Sequence, residues 1–117
     1  METCPCGSAD YDACCGPLHR GERSAATPEE LMRSRYSAFA KRDPFHLART
    51  WHPRTRPDDV SADPSIRWTG LEILGSADDT VDFIARYEDR EGPGELREHS
   101  RFARRAGRWV YVDGDVL

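Results

Sequence analysis

The sequence predicts an α+β domain in which helices cover one face of a bent antiparallel sheet, preceded by a small cysteine-rich segment. Three observations carry that prediction. All four cysteines fall between residues 4 and 15. Residues 27 to 51 carry helix caps and a helical apolar period. From Ile66 onward the period switches to the alternation of strands, broken by turn residues.

A chain of 117 residues suits one domain, able to bury roughly two thirds of the surface its unfolded form exposes. Its 38% hydrophobic and 32% charged residues fit a globular chain, and no apolar run approaches the ~18 residues of a membrane span. No charged-then-apolar leader precedes Cys4, so the chain reads as cytoplasmic. Net charge is −4, and of the 17 basic residues all but Lys41 are arginine. That balance argues against a broad nucleic-acid binder, which gains affinity by releasing counterions from phosphates.

The first element is the run Cys4-Pro5-Cys6-Gly7-Ser8-Ala9-Asp10-Tyr11-Asp12-Ala13-Cys14-Cys15-Gly16-Pro17. Sulfurs in C-x-C and then C-C spacing are the soft donors that a tetrahedral zinc site needs, each at ~2.3 Å from the ion. Pro5, Gly7, Gly16 and Pro17 punctuate the turns that would bring them together. Two disulfides are the alternative, but a vicinal Cys14–Cys15 bridge is strained and a domain of this size does not depend on staples. Residues 1–19 therefore read as a zinc knuckle. His19 is a conceivable further donor, although four thiolates already fill the shell. Residues 20–26 have little apolar content and no period, and read as a linker.

Thr27-Pro28-Glu29-Glu30 opens a helix with three independent signals: a threonine cap, proline at the first helical position, and glutamate three residues after the cap. The helix runs to about Lys41. Met32, Tyr36, Phe39 and Ala40 form its apolar stripe, widened by Leu31 and Ala38 and flanked by Arg33 and Arg35. Asp43-Pro44 repeats the cap and proline, starting a short second helix through Phe45, Leu47 and Ala48. Trp51-His52-Pro53 ends it, because the residue before proline is driven out of the helical region. Residues 53–64 read as a proline-rich loop.

Ile66 and Trp68 alternate in one phase and Leu71 and Ile73 in the other, with Gly70 at the switch. A β-bulge there would explain the slip and bend the strand. Val81, Phe83, Ala85 and Tyr87 alternate as a second strand after a turn at 75–79. Residues 86–91 read as a solvated, charged turn and Gly92-Pro93-Gly94 as the next turn. Leu96 to Arg104 and Arg108 to Val112 then make a hairpin through Ala106-Gly107. Such a sheet leaves a concave side, and the space between it and the first helix is the natural place for a pocket.

Cys4-Pro5-Cys6-Gly7-Ser8 with Tyr11 and Cys14-Cys15 resembles the SEC-C zinc motif, named after the tail of the SecA secretion ATPase. Leu31 to Phe39, Thr50-Trp51-His52-Pro53 with Thr55-Arg56-Pro57, Trp68-Thr69-Gly70-Leu71, Ser100-Arg101-Phe102 and Trp109 to Gly114 together resemble the YchJ family of bacteria. The likeness covers nearly the whole chain. It implies a SEC-C knuckle joined, over residues 27–117, to a cone-shaped cystatin-like domain similar to nuclear-transport-factor-2-like folds. It also implies Cys4, Cys6, Cys14 and Cys15 as ligands of Zn2+, with Cys15 where SecA tails have histidine, and it implies no established reaction. The loop between Cys6 and Cys14 departs from the motif, with seven residues and Ala9 where eight with a second glycine are usual.

Two readings of function follow. In the first, the chain is a non-enzymatic zinc-stabilised module that docks a protein partner through the knuckle, as SecA tails suggest, or holds a small ligand in the concavity. Its zinc thiolates would be structural or an oxidisable switch. In the second, it is a small enzyme acting on a hydrophobic substrate in the cone, with His52 or Asp113 as general acid or base. The pocket candidates are Tyr36, Trp51, His52, Trp68, Glu72, Arg101, Trp109 and Asp113. Each has a plainer reading: the aromatics fill the core and His52 caps a helix end. Likewise Arg33, Arg35 and Arg101 pair with Glu72, Glu98 or Asp113 rather than clamp an anion. Related cone folds pair through the exposed sheet, so a dimer stays open.

Overall fold

The computed structural model describes residues 2–117. After the first two cysteines come a 3₁₀ turn, Tyr11–Ala13, and a short helix α1, Cys15–His19, where the sequence reads only as turns. Helix α2 spans Pro28–Lys41 and α3 spans Pro44–Arg49. The strands β1 Arg67–Ser76, β2 Thr80–Asp89, β3 Gly92–Arg105 and β4 Arg108–Val116 form one antiparallel meander in sequence order.

Helix α2 starts as its sequence predicts. The Thr27 hydroxyl accepts the Glu30 N–H at 3.1 Å, with Pro28 in the first turn. Glu30 reaches one residue further back than a capping box requires, accepting the Ala26 N–H at 2.7 Å, and it also holds Arg23. Arg42 closes the helix in the left-handed region, φ 57°, its N–H on the Ala38 and Phe39 carbonyls. Asp43 caps α3 by accepting the His46 N–H at 3.2 Å. That helix buries His46 and Leu47, whereas Phe45, expected among its apolar positions, is 78% exposed because so short a helix has one inward face.

The slip expected at Gly70 is present: pairing with β2 jumps between Trp68 and Gly70, leaving Thr69 as the extra residue. Two further shifts, at Leu74 on β1 and Val112 on β4, add to the bend. Gly92-Pro93-Gly94 is not a turn. The chain reverses at Arg90-Glu91 and all three residues pair with β2. Gly94 lies opposite Tyr87, whose ring covers it; a Cβ there would sit 2.6 Å from Tyr87 Cζ. The last hairpin turns at Ala106 and Gly107, both with positive φ (52° and 77°), as a two-residue turn requires.

Alternation sorts the sheet's two faces. Trp68, Phe83, Ala85, Leu96, Phe102 and Tyr111 face α2, and the core continues through Leu31, Met32 and Tyr36 to Cys4, Cys6 and Cys15. The outer face carries cross-strand ion pairs, Arg67 with Glu88, Arg86 with Glu72 and Glu95, and Arg101 with Asp113 and Asp115, beside a hydrogen bond between His99 and Asp82.

Candidate metal centre and cone cavity

The sulfurs of Cys4, Cys6, Cys14 and Cys15 all lie within 4.8 Å of one another. Cys6 and Cys14 are 3.5 Å apart, and Cys14 and Cys15 are 3.8 Å apart. A tetrahedral ion at ~2.3 Å from each sulfur spaces them about 3.8 Å apart, so the four free thiols fit one metal ion. The short loop leaves this set intact. Cys4 N–H donates to Ser8 O and Gly7 N–H to Cys4 O, each at 3.0 Å, and Gly7 takes a φ of 110° that side chains resist. Asp10 then caps the 3₁₀ turn by accepting the Asp12 N–H at 3.1 Å. Gly16 serves close approach rather than a turn: inside α1, a Cβ would come 2.9 Å from the Tyr11 carbonyl.

Cys4, Cys6 and Cys15 are at most 4% exposed. Hydrogen bonds, from the Cys15 thiol first and then from Ser8 N–H, Cys4 and Cys14, hold the Cys6 thiol far below its ordinary range in spite of burial. Its partner Cys15 is pushed strongly up by donating to Cys6 and by burial, and Cys14 is raised by burial. A bound cation would supply the charge that lets all four ionise together.

Helix α2 supports this cluster through a residue the sequence reading passed over. Ser37, fully buried, lies 3.4 Å from Cys4 Sγ and donates to Cys15 Sγ at 3.3 Å. Arg33 pairs with Glu29 and donates to the Cys6 carbonyl at 3.2 Å. His19 faces away from the sulfurs. Its Nδ1 accepts from the Tyr11 hydroxyl at 2.6 Å and its Nε2 donates to Ser34 O at 2.8 Å. Ser34 Oγ donates to Leu31 O and accepts from His46 Nε2 at 2.9 Å, and His46 Nδ1 faces Arg49 Nη2 at 3.2 Å. Burial lowers both histidines, His46 to about 3. The chain Tyr11–His19–Ser34–His46–Arg49 thereby ties α1 to α2 and α3.

Between α2 and the sheet lies a cavity of about 280 Å³. Met32, Arg35, Tyr36 and Phe39 cover it from α2 at i, i+3, i+4 and i+7. Trp68, Phe83, Ala85, Leu96, Glu98 and Tyr111 line it from the sheet, and Trp51 completes the wall. Trp51 arrives there because residues 50–52 run alongside β4: Tyr111 N–H donates to Thr50 O and His52 N–H to Tyr111 O, both at 2.8 Å. In this extended segment, alternate residues face opposite ways. His52 is turned out, its Nδ1 accepting the Arg54 N–H at 3.1 Å.

Of the pocket residues expected from sequence, Tyr36, Trp51 and Trp68 line the cavity, while His52, Glu72, Arg101, Trp109 and Asp113 do not. Strand phase is the reason for three of them. Glu72 faces outward to Arg86 at 2.9 Å, and Arg101 faces outward to Asp113 at 2.6 Å. Trp109 faces inward but beside residues 26–29 at the start of α2, under Arg104. Of Arg33, Arg35 and Arg101, expected to pair with Glu72, Glu98 or Asp113, Arg101 alone does so, with Asp113; Glu72 pairs with Arg86 instead.

The charged groups in the cavity are Arg35 and Glu98. Arg35 is 3% exposed, and its guanidinium packs against the rings of Trp51 and Tyr111, 4.8 and 4.7 Å from their centroids. Its Nη1 donates to Leu47 O at 2.9 Å and Thr50 Oγ1 at 2.7 Å. Burial draws it down to about 10. Glu98 accepts hydrogen bonds from the hydroxyls of Ser100 and, at 3.1 Å, Tyr111. Gly114 leaves the room that its side chain fills. Burial, then the Glu98 charge, raises Tyr111. The sequence held a signal for Arg35: it sits inside the Met32-Tyr36-Phe39 stripe rather than beside it, with no acidic residue three or four positions away.

The sequence profile described as "YchJ, middle NTF2-like domain" matches residues 27–114. A UPF0225 protein of Streptomyces avermitilis is 53% identical, covering 98% of this chain and 85% of the relative. One from Streptomyces coelicolor is 52% identical over 97% of this chain and 95% of its own length. The solution structure of a SEC-C motif containing protein from Rhodopseudomonas palustris shares 35% identity and a TM-score of 0.85, covering 99% of both chains. The crystal structure of a SEC-C motif containing protein from Psychrobacter arcticus shares 26% identity and a TM-score of 0.78, covering 100% of this chain and 84% of that one. No helix among the described residues is long and apolar enough to cross a membrane. With its N-terminal cysteine cluster and its NTF2-like α+β domain, this chain belongs to the YchJ family.

Proposed function

We propose that the chain is a zinc-stapled binding module whose ligand site is the cone cavity. The observation that carries this reading is the make-up of the cavity: about 280 Å³ of mostly aromatic and aliphatic lining, with a guanidinium and a carboxylate gathered around Tyr111. Small-molecule sites combine apolar walls with a few convergent polar groups in this way. His52 and Asp113, the acid and base of the enzyme reading, stand outside it. Glu98 is the carboxylate within it, already engaged by two hydroxyls.

Zinc is the metal that a closed four-thiolate set suits best, and such a set leaves no position for a reacting water. Cys4, Cys6 and Cys15 pack in the same apolar cluster as Leu31, Met32 and Tyr36, which supports a staple holding the knuckle of residues 1–19 against α2. The deep burial of these sulfurs favours the staple over a tip that docks a protein partner or switches on oxidation. Residues 20–26 would be the linker and 27–117 the cone domain.

The test is a tryptophan-fluorescence titration of the metal-loaded protein with 4-phenylbutan-1-ol, beside Ala85→Phe, which fills the cavity. A saturable change in the native protein, lost in a variant with unchanged circular dichroism, is expected. An equal response from both proteins would remove the cavity as the site.

A further inference from the structure

We infer that the cavity takes a small monocarboxylate with an aryl or alkyl body, its carboxylate seated on the Nε/Nη2 edge of Arg35. The inference rests on the cavity being a ligand site, as proposed above. Arg35 is 3% exposed, and among the described residues only its Nη1 finds oxygen acceptors, Leu47 O at 2.9 Å and Thr50 Oγ1 at 2.7 Å. The rings of Trp51 and Tyr111, their own centroids 5.3 Å apart, pack against it. The N–H donors of Nε and Nη2 remain, on a side chain that lines the cavity.

A buried charge is costly unless it is paired and hydrogen-bonded. The remaining edge of this guanidinium has the geometry that a carboxylate meets with two parallel hydrogen bonds. Met32, Phe39, Trp68, Phe83 and Leu96 offer the rest of the ligand only apolar surface. Glu98 limits the charge. Its carboxylate lines the same cavity, held by Tyr111 and Ser100 rather than by Arg35, so a dianion on Arg35 would face added repulsion that a monoanion largely avoids.

Calorimetric titration of the metal-loaded full-length protein with 4-phenylbutanoate and with 4-phenylbutan-1-ol tests this. The carboxylate is expected to bind about tenfold tighter or more, the effect of charge-assisted hydrogen bonds. Arg35→Lys keeps a cation but loses the fork, and should erase most of that preference. Glu98→Gln retains an oxygen for Tyr111 and Ser100; it should tighten the carboxylate several-fold and leave the alcohol unchanged. Phenyl phosphate should bind more weakly than 4-phenylbutanoate. An alcohol that binds as tightly as the carboxylate, or an Arg35→Lys variant that keeps the whole preference, would overturn the Arg35 anchor while leaving an apolar ligand site, and a Glu98→Gln variant without effect on 4-phenylbutanoate would overturn the charge limit. A tighter phenyl phosphate would overturn the monocarboxylate. Binding of neither 4-phenyl compound would remove the cavity reading itself.

Discussion

Cys6 and Cys15 face each other with opposite acidities, one thiol held down and the other pushed up by the same contact. Replacing Cys14 with serine removes one of four soft, anionic donors and leaves the shell around any cation incomplete. Cys14→Ser should therefore lose bound zinc, from about one per chain to near zero by elemental mass spectrometry, and lose several kcal/mol of stability with it. Zinc retained in the variant would contradict the four-thiolate set. Gly16→Ala drives a methyl group into the Tyr11 carbonyl and should cost about 1–3 kcal/mol, read by thermal unfolding. The clustering of the four cysteines was legible because residues spaced over a dozen positions form a local pattern. Ser37 was not, since the sulfur it bonds lies 22 residues away. Glu98 reads from sequence only as a partner for Arg33, Arg35 or Arg101, because the room its side chain fills depends on Gly114 of the neighbouring strand.

Among the elements, those written in adjacent residues were readable. The Thr27 and Asp43 caps, the slip at Gly70 and the Ala106-Gly107 turn all depend on short-range chemistry. Thr27→Ala should cost α2 about 1 kcal/mol in chemical denaturation, and no loss would mean that the cap is redundant. Gly92-Pro93-Gly94 misleads because its composition signals a turn, while Gly94 answers to the Tyr87 ring on the neighbouring strand. Which face Glu72, Arg101 and Asp113 take depends on bulges, and the one at Val112, which sets Asp113, has no glycine beside it in the sequence. The histidine network joining α1, α2 and α3 predicts a pH dependence. His19 and His46 have folded values below their ordinary 6.5, so the unfolded chain binds more protons as pH falls. Stability should be full above about 6.5 and decline as pH drops from there toward 3. His46→Gln should flatten part of that decline between pH 7 and 5 at constant metal; an unchanged slope would place its source elsewhere.

On the scale of the whole molecule, a cysteine-rich loop, three helices and a bent meander leave an apolar hollow with a buried arginine in its wall. The concavity was predictable from strand period and the bulge, but its lining was not, because inward and outward phases are settled only when four strands register. The three tryptophans report on it independently, since Trp51 and Trp68 line the cavity and Trp109 lies apart. The most direct test is therefore to add 4-phenylbutanoate to ¹⁵N-labelled, metal-loaded protein and follow the three indole N–H resonances. The cavity account predicts that those of Trp51 and Trp68 shift saturably while that of Trp109 stays in place. Movement of Trp109, or of amides in residues 4–16, with Trp51 and Trp68 unmoved would contradict it.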